Sequence, residues 1–102
     1  LAQVAAGAAA LTDIYTCPRG VGVVAHLFIA NRSATPTAFR VSVSKDGAGT
    51  ADAQYAAYDK PILGNAVDRV EGITLSPDDV VRVYATLATL SFTLFGLEIP
   101  LS

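Results

Sequence analysis

The sequence contains no tryptophan and no methionine, and it has only one cysteine and one histidine in 102 residues. A single cysteine, Cys17, excludes an internal disulfide and leaves the redox compartment open. A transition-metal site needs two or more histidine or cysteine ligands, which Cys17 and His26 alone do not provide. Without tryptophan, stacking on a sugar ring would depend on tyrosine. We therefore predict no metal and no cofactor.

Charge is also scarce. Charged residues make up 16% of the chain and hydrophobic residues 52%, and the mean hydropathy is +0.45. A soluble domain normally carries about 25% charged residues. The shortfall favours a protein that buries part of its surface against copies of itself or a scaffold, although an alanine-rich composition is a simpler explanation. The net charge of −2, with seven scattered basic residues, argues against a nucleic-acid partner.

Long apolar runs are missing as well, because none approaches the roughly 18 residues of a membrane span. The opening stretch LAQVAAGAAA resembles a signal-peptide core but lacks a basic region before it, so we interpret it as part of the mature chain. Ten residues interrupted by Gly7 are too few for a stable isolated helix. We predict an extended N-terminal arm at residues 1–11, which lies along a neighbour, and a single domain at residues 12–102.

The stretch from Val21 to Val43 organises the prediction. It reads VGVVAHLFIAN, RSATPT and AFRVSV, two strand-like runs on either side of a polar connector, and so predicts a hairpin. The second run alternates between apolar and polar residues, which indicates one buried face and one wet face. The first run is apolar on both faces. Such a strand has to be covered on both faces, and so short a chain has little material for the second.

Further short runs are divided by glycine, proline, asparagine and aspartate clusters. Strands are predicted at Thr12–Thr16, Val67–Leu75 with a bulge at Gly72, Val80–Ala85 and Leu90–Ile99; turns or breaks at residues 17–20, 45–49, 59–61, 64–65 and 76–79. Residues 52–58 fit either a strand with a bulge or a short helical turn. Seven or eight short strands without an amphipathic helix predict an all-β, antiparallel β-sandwich of jelly-roll type.

The chain shows little that indicates catalysis. His26 lies in the most apolar strand, and a Cys17–His26 pair lacks a supporting motif. Six aspartates near turns do not form the dense pattern of a calcium loop and fit turn hydrogen bonding instead. For glycoside hydrolysis, the candidate carboxylates are Glu71 and Glu98, both in predicted strands. We predict that the protein is not an enzyme.

Several segments, in order, resemble a family of small structural proteins of tailed bacteriophages. They are LTDIYTCP, IANRSATPTAFRVSV, QYAAYDKPILGN, GITLSPDDVVRVYA and LSFTLFGLEI, which together cover essentially the whole chain. The resemblance implies a β-sandwich component of the virion without enzymatic activity. This sequence departs from the family at Cys17, where valine is usual, at His26, and at Lys60, where an uncharged residue is usual. These departures could be adjustments to a neighbour.

The resemblance and the composition together predict a homo-oligomer, most simply a trimer, made in the host bacterial cytoplasm and carried on the virion. Its expected partners are its own copies and the major capsid protein or tail proteins, with no nucleic acid and no membrane. The leading function is capsid decoration that stabilises the shell. The alternative is a tail, baseplate or fibre module that binds a receptor or glycan through Tyr55, Tyr58 and Asp59. The interface candidates are Leu1, Val4, Tyr15, His26, Tyr55, Tyr58 and Tyr84.

Overall fold

The computed structural model describes residues 2–5, 7, 11–47 and 55–100. These residues form the strands β1 (Ala2–Ala5), β2 (Thr12–Thr16), β3 (Val21–Asn31), β4 (Thr37–Ser44), β5 (Tyr55–Ile62), β6 (Val67–Leu75), β7 (Val80–Ala85) and β8 (Leu90–Pro100), with a 3₁₀ turn at Lys45–Gly47. The first sheet has the order β1-β8-β3-β6 and the second β2-β7-β4-β5. All pairings are antiparallel.

This strand order is that of an eight-stranded jelly roll, in which the chain crosses between two facing sheets at almost every connection. The predicted β-sandwich is therefore confirmed. No helix among the described residues is long and apolar enough to cross a membrane.

The core lies between the two sheets and follows from the alternation of each strand. Leu27 and Ile29 of β3 face inward from the first sheet, and Phe39 and Val41 of β4 face them from the second; all four are fully buried. Side chains of this size each contribute about 1.5–3 kcal/mol when they leave water. The core thus covers only the inner face of β3.

The predicted hairpin between β3 and β4 is wrong. Both strands exist with nearly the predicted bounds, but β3 pairs with β6 and β8, whereas β4 pairs with β5 and β7. Residues 32–36 connect the two sheets instead of closing a hairpin. Asn31, 3% exposed, fixes this crossing: its Nδ2 donates to the carbonyls of Thr35 and Leu63, at 2.9 and 3.2 Å, and its Oδ1 accepts the Ser33 N–H.

The extended conformation predicted for the N-terminal stretch is found at Ala2–Ala5. These residues pair with β8 of the same chain, Ala2 with Leu94 and Ala5 with Ser91. Unpaired backbone groups on the edge of β8 explain this position, because an extended segment satisfies them. This segment of the predicted arm is consequently the edge strand β1 of the first sheet.

The sequence predicted a bulge at Gly72 and a break at residues 59–61, and only the bulge is found. The bulge predicted at Gly72 is confirmed by a register shift between β3 and β6 and by a φ of +73° at this residue. The break predicted at residues 59–61 is wrong, because Asp59, Lys60 and Pro61 lie within β5. A bulge with Asp59 at φ +49° accommodates them, and β5 is an edge strand, where proline is tolerated. Residues 55–58 accordingly form a strand.

Candidate functional site

The outer face of the first sheet is apolar where β3 and β8 pair. Directly opposed residues in an antiparallel pair point to the same side, and the register sets Val24 opposite Leu97 and His26 opposite Phe95. We call this surface the apolar face; its large apolar members are Val24, Phe28, Val67, Phe95, Leu97 and Ile99. The unusual second face of β3 therefore lies outside the core.

The apolar face is open to solvent. Leu97 is 65% exposed, Phe95 50%, Val24 44% and Ile99 43%, and Val67 on β6 is 70% exposed. Five of the nine large hydrophobic side chains that the described residues expose thus lie on one face. Scattered single hydrophobic residues are normal on a protein surface, but a contiguous patch marks an interaction site.

Two aromatic rings pack together at the centre of this face, and the charged residues on the face are paired with each other. The rings of Phe28 and Phe95 meet edge to face, with centroids 5.3 Å apart. On the described part of the face, only Arg69 and Glu71 are charged, and they bind each other at 2.8 Å along β6. His26 is exposed beside Phe95. The face is therefore close to electrically neutral.

The outer face of the second sheet carries a different group of residues, which we call the tyrosine–arginine cluster. Its members are Arg40, Tyr55, Tyr58, Asp59 and Tyr84. The Arg40 guanidinium lies 4.2 Å from the Tyr58 ring centroid and 4.5 Å from that of Tyr84. Two hydrogen bonds, of 2.6 and 3.2 Å, join it to the Asp59 carboxylate, and Tyr55 meets Tyr58 edge to face.

Electrostatics hold this cluster together. The hydrogen bond from Arg40 lowers the pKa of the Asp59 carboxyl, and the same bond raises the pKa of the Arg40 guanidinium. The sequence predicted that Tyr55, Tyr58 and Asp59 form an exposed group, and the structure brings these three together. It adds Arg40 and Tyr84, which face each other across β4 and β7.

Tyr15 and Val4 lie on neither outer face. The Tyr15 hydroxyl donates to Glu98 Oε2 at 2.5 Å, which links β2 to the end of β8. Burial, and then this hydrogen bond, raise the pKa of Tyr15 above its usual range. Val4 packs against the core beside Phe92. Leu1 lies outside the described residues, so of the seven interface candidates His26, Tyr55, Tyr58 and Tyr84 are on the outer faces.

The residues considered for catalysis are not brought together. Cys17 is fully buried in the core, whereas His26 projects from the outer face of the first sheet. Burial, followed by the negative charge of Asp79, raises the pKa of the Cys17 thiol, which favours the unreactive neutral form. Glu71 lies on the outer face, and Glu98 lies on the opposite side, in line with the buried Val23.

The described residues show no metal site, and Lys60 pairs with a carboxylate of the same chain. The described residues contain no group of three or more histidine, cysteine, aspartate or glutamate side chains able to hold a metal ion. Lys60 binds Asp68 at 2.9 Å, which bridges the edge strands β5 and β6 of the two sheets, and this hydrogen bond lowers the pKa of Asp68. The positive charge of Lys60, where the resembling family usually has an uncharged residue, is thus paired with Asp68 of the same chain.

Comparison with known proteins adds no relative. No protein-family model, no curated protein and no solved structure matches the chain.

Sequence reasoning found the apolar second face of β3 but missed its other half. The apolar residues of β8 change sides along the strand, from Leu90, Phe92 and Leu94, which face the core, to Phe95, Leu97 and Ile99, which lie on the outer face. The strand's own sequence does not show which of these two sets the core covers. Arg40 was also missed, because a single arginine on the polar side of a strand resembles any solvated charge. Its role follows only from the residues that β5 and β7 place beside it.

Proposed function

We propose that this chain is a non-enzymatic structural protein of a tailed-bacteriophage virion. It assembles as an oligomer on the particle and acts as a capsid decoration, or cement, protein that stabilises the shell. The observation that carries the proposal is the exposed apolar face on a jelly-roll sandwich. The assignment to tailed phages rests on the resemblance of the five sequence segments.

The exposed apolar area of the first sheet favours association with other subunits. Monomeric soluble proteins rarely leave such a patch uncovered, because it lowers solubility and favours association. On a virion, neighbouring subunits cover it. Many copies then hold the shell through repeated contacts, each of which can be modest, because multivalent attachment multiplies weak affinities.

The fold is compatible with this role but does not define it. Jelly rolls occur in viral capsid proteins, and they also occur in lectins and cupins, so the exposed surfaces distinguish these functions and the fold does not. In a lectin or an enzyme, we would expect a concave site with convergent polar groups. The principal exposed feature of this sandwich is instead a sheet face with Leu97 and Phe95 at its centre.

Engagement of the acidic side chains supports a non-enzymatic role. Seven of the eight described carboxylates are bound to a partner in the chain: Asp13 to Arg82, Asp59 to Arg40, Asp68 to Lys60, Asp78 to Arg19, Asp79 to Lys45, Glu71 to Arg69 and Glu98 to Tyr15. The oxygens of carboxylates held in such pairs already have partners within the chain, which fits a structural role.

The decisive experiment compares particles with and without the protein. Phage particles that lack this chain are imaged by cryo-electron microscopy and heated in parallel with complete particles, and the purified protein is then added back. We expect the loss of a surface feature from the capsid, release of DNA at a lower temperature, and recovery of both on addition. A protein that never sediments with particles would refute the proposal.

The tyrosine–arginine cluster favours a second candidate, a tail or fibre module that binds a receptor or glycan. Tyr58 is 56% exposed, and Arg40 and Tyr55 fix the position of its ring, so that it could stack on a sugar. Glycan-array binding by the wild-type protein, lost in Tyr58→Ala and retained in Leu63→Ala, would support this role. A position on the capsid shell without glycan binding would exclude it.

A further inference from the structure

We propose that the apolar face of the first sheet is covered by a second copy of this chain. The contact centres on Phe95 and Leu97 of β8 and on Val24 of β3, and it joins the first sheets of the two copies face to face. The inference rests on the proposed assembly function and specifies which surface the copies use.

The size of the face is close to what such a contact needs. The five exposed side chains of the face have exposed fractions of 43–70%. The four strands of the first sheet contain 4, 11, 11 and 9 residues, and with about 3.3 Å per residue and about 4.8 Å between strands their outer face covers roughly 550 Å² in projection. Side chains that stand out from this plane raise the accessible area toward the roughly 800 Å² that a stable interface buries on each partner.

The near-neutral charge of the face argues against a nucleic acid or a strongly charged protein and fits a second copy of the chain. A surface that binds nucleic acid needs unpaired basic residues, and an oppositely charged protein partner needs a net charge to recognise. The described part of the face offers only Arg69 and Glu71, which neutralise each other at 2.8 Å. A second copy presents an equally neutral, apolar surface with the same pair, so no charge is buried without a partner.

The pairing of β3 with β8 sets the side chains at the centre of the face in regular rows. Val24 and Leu97 are directly opposed, as are His26 and Phe95, and no register shift interrupts the pairing of β3 with β8. Sheets pack face to face at about 10 Å when their side chains interdigitate. The edge-to-face pair of Phe28 and Phe95 holds the aromatic centre in one position before association.

The outer face of the second sheet carries paired charged and aromatic residues in place of an exposed apolar patch. Arg40 is already bound by Asp59 and by the rings of Tyr58 and Tyr84, and Arg82 binds Asp13 at 2.6 Å. Only the first sheet thus combines exposed apolar area with neutral charge. This asymmetry predicts that substitutions on the two faces have different effects on self-association.

The test measures the mass of the protein in solution without particles. Sedimentation velocity and light scattering are carried out on the wild type, on Leu97→Lys and on Leu63→Lys, from 1 to 100 µM. The control is matched, because Leu63 is 71% exposed and Leu97 is 65% exposed. Leu63 lies in the loop between β5 and β6, at the Ala30 end of β3, whereas Leu97 is opposed to Val24, six residues away along the strand. We expect the wild type and Leu63→Lys to have a mass of two or more 10.5 kDa chains.

Leu97→Lys is expected to raise the dissociation constant at least tenfold, because association would bury an unpaired ammonium group. Phe95→Ser removes apolar area without adding charge and should act in the same direction. Circular dichroism and thermal unfolding check that each variant folds. A wild type that stays monomeric at 100 µM, or an equal effect of Leu97→Lys and Leu63→Lys, would overturn the inference.

A parallel sedimentation with phage particles separates this inference from the proposed function. An oligomer that depends on Leu97 but never binds particles supports the inference and refutes the virion role. A monomer that binds particles, and loses binding in Leu97→Lys, assigns the face to a shell protein. That result overturns the inference and leaves the virion role standing.

Discussion

Replacing Asp79 by asparagine should destabilise the sandwich strongly, because this carboxylate joins two turns at one end of the core. Asp79 is 1% exposed. Its Oδ2 accepts hydrogen bonds from the Ser76 N–H and from Lys45 Nζ, both at 2.9 Å, and its Oδ1 accepts the Asp46 N–H at 3.2 Å. Its backbone also bonds to Cys17, which ties the turn to the chain after β2.

The magnitude follows from the number of donors that lose their acceptor. Asparagine has one acceptor oxygen, so in either orientation its NH₂ group faces one of the two backbone N–H groups. A lost hydrogen bond to a charged acceptor costs about 1.5–3 kcal/mol. The bond from Lys45, whose side chain is 66% exposed, adds at most about 1 kcal/mol after solvent screening. We expect Asp79→Asn to lower the free energy of unfolding by about 2–3 kcal/mol.

The neighbouring substitution Asp78→Asn is the matched control. Asp78 has a φ of +69°, which asparagine tolerates, and its side chain pairs with Arg19 at 3.5 Å, where both side chains are substantially exposed. Such a pair contributes about 0–1 kcal/mol. Thermal and urea unfolding at pH 7 should therefore show a fall in Tm on the order of 10–20 °C for Asp79→Asn only.

The pH dependence provides a second readout. Burial opposes ionisation of Asp79, but the hydrogen bonds from Lys45, Ser76 and Asp46 outweigh it and lower the pKa of the carboxyl. A group with a lowered pKa in the folded state stabilises the protein above its unfolded pKa, about 3.9 for aspartate. This contribution is lost as the pH falls through the folded pKa. The difference in stability between wild type and Asp79→Asn should shrink below pH 4.

Two results would contradict this reasoning. One is an Asp79→Asn protein that unfolds at pH 7 within 1 kcal/mol of Asp78→Asn, since this would mean that the three hydrogen bonds are not needed. The other is a stability difference that stays constant from pH 7 to pH 2.5. It would show that the carboxylate charge contributes nothing.

Three further substitutions test other parts of the fold. Asn31→Asp should cost about 2–4 kcal/mol in urea unfolding, since a carboxylate would replace the amide donor beside two loop carbonyls, whereas Asn65→Asp on an exposed turn should have little effect. Gly64→Ala should lower stability by more than about 2 kcal/mol, because a Cβ would lie 2.0 Å from a backbone oxygen, and Gly20→Ala, with open space but φ +81°, by only about 1–2 kcal/mol. The thiol of Cys17 should stay unreactive toward a disulfide reagent at pH 8 until urea unfolds the protein, and rapid labelling of the folded chain would contradict its burial and raised pKa.

The sequence was most informative where a pattern is local. Alternation in Val80–Ala85 and the turn residues at 76–79 are set by neighbours within a few positions, and both match the structure. The break at Asp59–Pro61 failed for the opposite reason. Proline was interpreted by its effect on its own backbone, but its position on the edge strand β5, where no partner needs its missing N–H, decides whether it fits.

In the candidate surfaces too, local sequence patterns determine some features and strand pairing determines the others. The side-chain sequence of β3 determines that His26 and Val24 share one side and that Leu27 and Ile29 share the other, because successive residues in a strand alternate. The register with β8 decides that Leu97 and Phe95 complete the apolar face. For the tyrosine–arginine cluster, Tyr55, Tyr58 and Asp59 were predicted from the sequence. Arg40 was found only because β4 pairs with both β5 and β7 in the structure.

The amino-acid sequence by itself determined that the chain forms short antiparallel strands, where most of them lie, and that β3 is apolar on both sides. Those properties depend on period-two alternation and on turn residues, which act over short distances. Only the tertiary structure decided that β3 and β4 belong to different sheets, and which side of β3 remains open to solvent. The physical reason is that backbone hydrogen bonds between strands carry no mark in the sequence of either strand, so packing of the whole core selects the partners.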